Sequence, residues 1–180
     1  MFVPTNAAAK SLAVILLAIL LAACDEDDSA QYQFDPAAAV HPGFSGDRAY
    51  EHVQKLVDFG PRPAGSNALE NSRVYIEEQL KELGWVVIRQ SFTDKAPNGA
   101  SIDFVNLRAR FGNADDVTFW DQKRAILLGS HYDTKRYTDF EFVGANDGGS
   151  STGVLIEIAR VAKTKPEFAK QIELVFFDGE

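Results

Sequence analysis

The sequence predicts an α/β domain with a mixed, partly parallel sheet, and three observations support this class. Two strand-like segments, 85–92 and 102–111, are separated by a Pro-Asn-Gly turn, which favours an antiparallel hairpin. A further strand-like run at 125–128, a helical pattern and an apolar run at 172–177 follow in the order of a βαβ unit. Apart from Glu173 that last run is apolar throughout, which is typical of a strand buried on both faces. Antiparallel pairing at the start and parallel pairing later make the sheet mixed.

Apolar residues at helical intervals predict three helices, at about 45–58, 67–83 and 150–163. In the first helix we expect Tyr50 to face the core. The second helix should take Asn67 as its N-cap, because an acidic residue follows it at capping-box spacing. Each helix is therefore amphipathic and needs the sheet to cover its apolar side.

Composition limits the classes of function that fit the chain. With 180 residues, of which 46% are hydrophobic, the chain is long enough to bury one sizeable core. The formal net charge of -8 argues against nucleic acid or an anionic membrane surface as the main partner. No Gly-rich loop with a lysine is present to cradle a phosphate. The sign of the charge does not indicate what the substrate is.

The N-terminus indicates export. Lys10 precedes an apolar run at 12–21, which is shorter than a membrane span, and the run ends in a Leu-Ala-Ala-Cys sequence like that of bacterial lipoproteins. We predict a signal peptide at 1–23, lipidation of Cys24, an acidic tether at 24–43 and a catalytic domain at 44–180. The protein would then be exported and lipid-anchored at a bacterial membrane. The alternative is an ordinary signal peptide with an incidental cysteine.

Polar residues gather where three segments of the predicted βαβ unit end. Ligands in open α/β sheets bind outside the carboxyl ends of the strands. His131 and Asp147 are suited to zinc, Glu180 would add an acid, and Asp133 could orient a neighbouring ligand. The three clusters are Ser130-His131-Tyr132-Asp133, Gly144-Ala145-Asn146-Asp147-Gly148-Gly149 and Asp178-Gly179-Glu180.

Each residue of this set also has an ordinary structural interpretation. A histidine at a strand end is more often a satisfied structural residue than a ligand, and an aspartate before two glycines is usually a turn residue. Glu180 could simply begin a helix, where an acid suits the helix dipole. Because the three groups follow successive segments of one βαβ unit, a shared site is the better interpretation.

The three clusters, taken in order, resemble the zinc aminopeptidase and glutaminyl cyclase superfamily over residues 45–180. Within it, the match is closer to glutaminyl-peptide cyclotransferases, on the strength of segments 92–106, 131–135 and 142–145. The resemblance implies an α/β/α sandwich substantially longer than this chain. By that comparison the chain would be truncated on its C-terminal side, would lack later zinc ligands and would be inactive alone.

The resemblance also implies roles for individual residues. Asp147 matches the aspartate zinc ligand, and Glu180 matches the general base and acid. His131 would bind zinc in two-zinc aminopeptidases, where Asp147 bridges both ions, but is not expected to bind the metal in single-zinc cyclases. Asp133 and Lys135 would then be structural or would face the substrate.

Three functions follow from the resemblance. The first is a cyclotransferase with one zinc ion, which converts an N-terminal glutamine to pyroglutamate and releases ammonia. The second is an aminopeptidase with two zinc ions, which removes N-terminal residues. The third is a lipid-anchored domain without catalytic activity. For the enzymes, the partners are peptide or protein N-termini, the membrane is contacted only through the anchor, and nucleic acid is not a partner.

Overall fold

The computed structural model describes residues 43–95 and 99–179. Within these residues no helix is long and apolar enough to cross a membrane. The predicted signal peptide, Cys24, most of the acidic tether and Glu180 lie outside the described residues. In chain order the elements are α1 (Gly46–Asp58), α2 (Asn67–Glu82), β1 (Trp85–Lys95), β2 (Ser101–Phe111), β3 (Ile126–His131), a short helical turn (Ala145–Ser150), α3 (Ser151–Ala162), α4 (Pro166–Ala169) and β4 (Ile172–Phe177).

The described strands form one mixed sheet in the order β1-β2-β4-β3. The hairpin strands β1 and β2 pair antiparallel, and β2 pairs antiparallel with β4. The strands β3 and β4 are parallel, with α3 and α4 between them in the chain. The predicted α/β class with a mixed, partly parallel sheet is confirmed. This pairing fits the predicted βαβ order, because parallel neighbours need a long crossover connection and α3 and α4 lie in it.

One face of the sheet carries the core. Alternate residues of β2 and β4 point to this face, and each of the four described helices contributes at least one buried residue to the same cluster. Burying such a side chain contributes roughly 1.5–3 kcal/mol. The fully buried members include Leu56, Leu69, Ile76, Leu80, Leu107, Ala109, Ala159, Leu174 and Phe176.

Two local predictions about the helices were wrong. Ser66, not Asn67, caps α2, because the Ser66 hydroxyl oxygen accepts the amide hydrogen of Leu69 at 3.1 Å and Asn67 is already helical. Tyr50 is 61% exposed, and Ala49 takes the core-facing position one residue earlier. Ala49 lies four residues before the buried Val53, so the apolar stripe of α1 begins there instead.

Parallel pairing of β3 and β4 places their carboxyl ends at one edge of the sheet. His131 lies opposite Phe177 in the register, and the Tyr132 amide donates to the Phe177 carbonyl at 3.0 Å. The hairpin continues past this edge, where the Val105 amide donates to the Asp178 carboxylate at 2.8 Å. The segments that follow β3 and β4 therefore meet beside the hairpin.

Candidate metal centre

The imidazole of His131 lies between two carboxylates. Its Nε2 atom is 3.1 Å from Oδ1 of Asp147, and its Nδ1 atom is 3.5 Å from Oδ1 of Asp133. Asp133 is buried, whereas the side chain of Asp147 is 49% exposed. When one ring nitrogen of a histidine faces a carboxylate, that contact fixes the orientation of the ring and so the direction of the other nitrogen. This arrangement is common among metal-binding histidines. The arrangement predicted for His131, Asp133 and Asp147 as neighbours therefore exists in the fold, while their roles stay predictions.

The glycine after Asp147 permits this close approach. Asp147 interrupts the helical turn with φ -84° and ψ 111°, and Gly148 follows with φ +75°. A Cβ atom on Gly148 would lie 2.9 Å from the Asp133 carbonyl oxygen and 2.9 Å from Cε1 of His131. Only a residue without a side chain fits this space and this left-handed conformation. Gly148 thus holds the Asp147 loop directly against the end of β3.

The start of α3 is also bound to the end of β3. The Thr152 hydroxyl donates to the His131 carbonyl at 3.1 Å, and the hydroxyls of Ser130 and Ser151 are 2.6 Å apart. These bonds tie the segment immediately after Asp147 to the segment that carries His131. The separation of the two candidate ligands is therefore set from both sides of the loop.

Asp178, in the third cluster, forms a buried ion pair that sequence reasoning missed. Its Oδ2 atom accepts from Arg73 at 3.1 Å and from the Val105 amide, and its side chain is fully buried. Burial, with a smaller effect of the nearby Asp133 charge, raises the pKa of Asp178, although the Val105 amide and Arg73 oppose this. The signal for this pair was Arg73 itself, which lies on the apolar stripe of α2 where a lone charge is unexpected.

Tyr132 connects this pair to the hairpin. Its hydroxyl accepts from Nε of Arg73 at 2.7 Å and donates to the Val105 carbonyl at 2.6 Å. Burial, and then the charge of Asp178, raise the pKa of Tyr132 far above its ordinary value, so the hydroxyl keeps its proton. The network of Arg73, Tyr132 and Asp178 thus holds the end of β4 in place two residues before Glu180.

The remaining predicted site residues are Lys135, Glu180 and Cys24. Lys135 is exposed, and its ammonium lies 5.9 Å from the ring centroid of Tyr137. Its predicted role, structural or towards a substrate, stays a prediction. Glu180 and Cys24 lie outside the described residues. Arg62 was not predicted at all, although it is fully buried beside the end of β3.

A cavity of about 640 Å³ opens beside the strand ends. Its volume is within the range of ligand pockets. Apolar side chains from the hairpin form one wall, and polar residues that follow β3 and β4 form the other. Residues on these walls include Phe92, Phe104, Asp133, Arg136, Asp178 and Gly179. Asp133, which faces His131, lines this space, whereas His131 and Asp147 themselves are not among its lining residues.

The donor chemistry of His131 and Asp147 fits zinc, but these two residues do not complete a zinc site. Zinc sites use three or four protein ligands, of which imidazole nitrogen and carboxylate oxygen are common. Residues 43–95 and 99–179 contain no group of three or more histidine, cysteine or acidic side chains that could together hold a metal ion.

Comparison with known proteins identifies the family that this chain resembles. Residues 106–180 match the model of peptidase family M28. The chain is 30% identical over 171 residues to a glutaminyl-peptide cyclotransferase of Drosophila melanogaster, covering 89% of the chain and 46% of that protein. The resemblance to the zinc aminopeptidase and glutaminyl cyclase superfamily is confirmed.

Solved structures show the same two branches. The glutaminyl cyclase of Porphyromonas gingivalis superimposes with a TM-score of 0.66 at 36% identity, covering 78% of this chain and 47% of that chain. A Zn-dependent exopeptidase from Parabacteroides distasonis superimposes with a TM-score of 0.67 at 32% identity, covering 78% and 49%. The superfamily resemblance and the α/β fold are thus supported by sequence and by structure. The chain spans about half the length of each of these three proteins.

Proposed function

We propose that the protein carrying this chain is a zinc-dependent glutaminyl-peptide cyclotransferase. It would convert the N-terminal glutamine of a peptide or protein to pyroglutamate and release ammonia. The observation that carries the proposal is the contact between Asp147 and His131. This contact lies at the edge of the sheet where β3 and β4 end, and Glu180 follows β4 in the sequence. Similarity to glutaminyl cyclases from Drosophila melanogaster and Porphyromonas gingivalis supports this branch.

In this proposal Asp147 is one ligand of a single zinc ion. A bound zinc ion supplies Lewis-acid polarisation of the carbonyl group in the glutamine side-chain amide. His131 does not bind zinc in this branch and instead positions the Asp147 carboxylate. Asp133 orients the imidazole from its other side. One zinc ion is therefore expected if His131 only positions Asp147, and two if His131 is itself a ligand.

Glu180 is proposed to move the proton. Its carboxylate takes a proton from the α-amine as the amine nitrogen attacks the side-chain amide carbon. The same proton then passes to the departing nitrogen, so that the old carbon–nitrogen bond breaks and ammonia leaves. No water is consumed, and the carboxylate is regenerated. Such a two-way proton transfer requires a carboxyl group whose pKa is closer to neutrality than that of an exposed glutamate.

An aminopeptidase is the second candidate, and a specific observation favours it. The matched family model is a peptidase family, and the Parabacteroides distasonis structure is a Zn-dependent exopeptidase. In this branch His131 would bind one zinc ion, Asp147 would bridge two, and Glu180 would activate a water against the first peptide bond. The separation of 3.1 Å between Nε2 of His131 and Oδ1 of Asp147 is compatible with both atoms facing one ion.

One experiment separates the candidates. The zinc-loaded protein is incubated with a peptide that begins with glutamine, and the product is followed by mass spectrometry together with ammonia release. Loss of one ammonia with the chain length unchanged supports the cyclotransferase, and release of free glutamine overturns it in favour of the aminopeptidase. Metal analysis gives an independent answer, because two tightly bound zinc ions would contradict the cyclotransferase proposal. The absence of both reactions would favour a domain without catalytic activity.

We also propose that the protein is exported and held at a bacterial membrane through lipidation of Cys24. The support is the apolar run at 12–21 and the Leu-Ala-Ala-Cys sequence that ends it. The acidic tether at 24–43 would then separate the catalytic domain from the membrane surface.

A further inference from the structure

Arg62 lies in the loop between α1 and α2, yet its side chain is completely buried. A buried arginine is usually paired with a carboxylate, since an uncompensated charge is costly to remove from water. Here its guanidinium donates to backbone carbonyls instead. Nη1 donates to the carbonyls of Leu56 at 2.8 Å, Gly60 at 3.1 Å and Val143 at 2.9 Å, Nε to Tyr132 at 3.4 Å, and Nη2 to Gly144 at 3.5 Å.

Two of the segments that Arg62 contacts carry the candidate ligands. Tyr132 stands between His131 and Asp133, and Gly144 begins the turn that presents Asp147. Within that turn the Gly149 amide donates to the Gly144 carbonyl at 3.1 Å, so the Gly144 end of the turn is tied to its far side. A single planar group therefore spans the end of β3 and the base of the Asp147 turn.

The backbone of Arg62 strengthens the same connection. Its amide donates to the Thr134 hydroxyl at 2.9 Å, and the Thr134 amide donates to the Arg62 carbonyl at 3.0 Å. Both residues are buried, so water does not compete for these bonds. The residue thus binds the segment after β3 through its main chain and the Asp147 turn through its side chain.

The chemistry of this position requires arginine. A guanidinium presents five N–H groups in a rigid plane, whereas a lysine ammonium is a single point donor on a flexible stem. A lysine could reach only some of the carbonyls, which lie on several sides of the guanidinium. Burial lowers the pKa of Arg62 to about 10, and the nearby Asp133 charge opposes that shift. Arg62 therefore remains charged at neutral pH and faces Asp133 electrostatically.

We propose that Arg62 is a positioning residue for the metal centre, which sets the separation between His131 and Asp147 by holding the two segments that carry them. The proposal rests on the proposed zinc site at Asp147. Arg62 acts through backbone carbonyls and contacts neither candidate ligand by a hydrogen bond of its side chain. Its effect should therefore appear in metal affinity and in ligand geometry as well as in stability.

A purely structural role is the competing explanation, and the chain offers a matched control. Arg110 is also buried and donates to the backbone carbonyls of Phe119, Trp120 and Gln122. It pairs with Glu173 near the start of β4, on the face of the sheet opposite the core, and so lies away from the carboxyl edge. Loss of Arg110 should destabilise the fold without altering the metal centre.

The test compares Arg62→Lys with Arg110→Lys in the protein that carries this chain. Zinc affinity is measured by competition with a coloured chelator, the cobalt-substituted protein is examined by visible absorption, and stability is measured by urea unfolding. We expect both variants to unfold at lower urea. Only Arg62→Lys should bind zinc about 10–100-fold more weakly and change the cobalt spectrum, as substitutions behind metal ligands do.

Equal zinc affinity and an unchanged cobalt spectrum in Arg62→Lys would overturn the proposal, as would an equal loss in Arg110→Lys. If Arg62→Lys does not fold, Thr134→Val provides the second variant, because it removes the bond from the Arg62 amide and keeps the guanidinium. Folded Thr134→Val should bind zinc several-fold more weakly, and wild-type affinity would refute the proposal. Failure of the unsubstituted protein to bind zinc would overturn the proposed function as well, whereas tight zinc binding with no effect of Arg62→Lys would overturn this inference alone.

Discussion

Nε2 of His131 lies 3.1 Å from Oδ1 of Asp147, although the two residues belong to different elements. The contact depends on parallel pairing of β3 with β4, on the bonds from the start of α3 to the end of β3, and on the absence of a side chain at Gly148. It brings together one imidazole and one carboxylate at the edge of the sheet where the parallel strands β3 and β4 end.

Asp147→Asn should remove zinc binding from the protein that carries this chain. The amide keeps the size of the side chain but loses the anionic oxygen that zinc requires. Zinc content after gel filtration should fall to the background, and the unfolding midpoint of the metal-free protein should change little, because the Asp147 side chain is half exposed. Asp115→Asn, at an exposed position away from the carboxyl ends of β3 and β4, is the control and should retain zinc. Unchanged zinc content in Asp147→Asn would refute its role as a ligand.

Gly148→Ala should weaken both the fold and the metal centre. The new Cβ would meet the Asp133 carbonyl and His131 at 2.9 Å, in a backbone conformation with φ +75° that alanine adopts poorly. We expect a loss of about 1–3 kcal/mol in the free energy of unfolding and weaker zinc binding.

Gly46→Ala is the matched control for that substitution. A Cβ on Gly46 has nothing within 4 Å, and Gly46 lies in the first turn of α1. This variant should be neutral or more stable by up to about 1 kcal/mol, with unchanged zinc affinity. Equal behaviour of the two alanine variants in urea unfolding and chelator competition would show that the close approach at Gly148 has no energetic importance.

His52 should make stability depend on pH. Burial lowers the pKa of His52 below its ordinary value of 6.5, despite the opposing charges of Glu157 and Glu51, and its Nδ1 atom is 2.6 Å from the Tyr75 hydroxyl. Below pH 6.5 the unfolded chain therefore binds more protons than the folded chain, so stability falls as the pH falls through this range.

The measurement is the free energy of unfolding of the wild type and His52→Gln between about pH 5 and 7.5. Glutamine can keep a hydrogen bond to Tyr75 but does not titrate. The difference between the two proteins should shift in favour of the variant as the pH is lowered. A difference that is constant across this range would contradict the lowered pKa.

Cys24→Ser should release the protein from the membrane. In a bacterial host the wild type is expected to incorporate a labelled fatty acid and to sediment with membranes, because stable anchoring requires covalently attached acyl chains. The serine variant should lose the label and appear in the soluble fraction. Ser29→Ala in the tether is the control and should behave as the wild type. Labelling that persists in Cys24→Ser would show that the anchor is elsewhere or absent.

Local patterns in the sequence were enough to predict most elements of the fold. The apolar run at 172–177, broken only by Glu173, predicted β4, and the turn after 85–92 predicted the hairpin, because both signals arise within a few residues. The two wrong local predictions concern positions that either of two adjacent residues could occupy. Ser66 was a better cap than Asn67, and Ala49 displaced Tyr50 from the core by one residue.

The sequence by itself determined the α/β class and the mixed sheet, and it predicted that His131, Asp133 and Asp147 are neighbours, because hydrophobic period and chain order encode strand direction. Only the tertiary structure revealed Arg62 and the network of Arg73, Tyr132 and Asp178. Their partners are mostly distant in the chain, and those of Arg62 are backbone carbonyls, which every residue has. No local pattern marks which carbonyls will be buried together, so these contacts depend on how the folded segments meet.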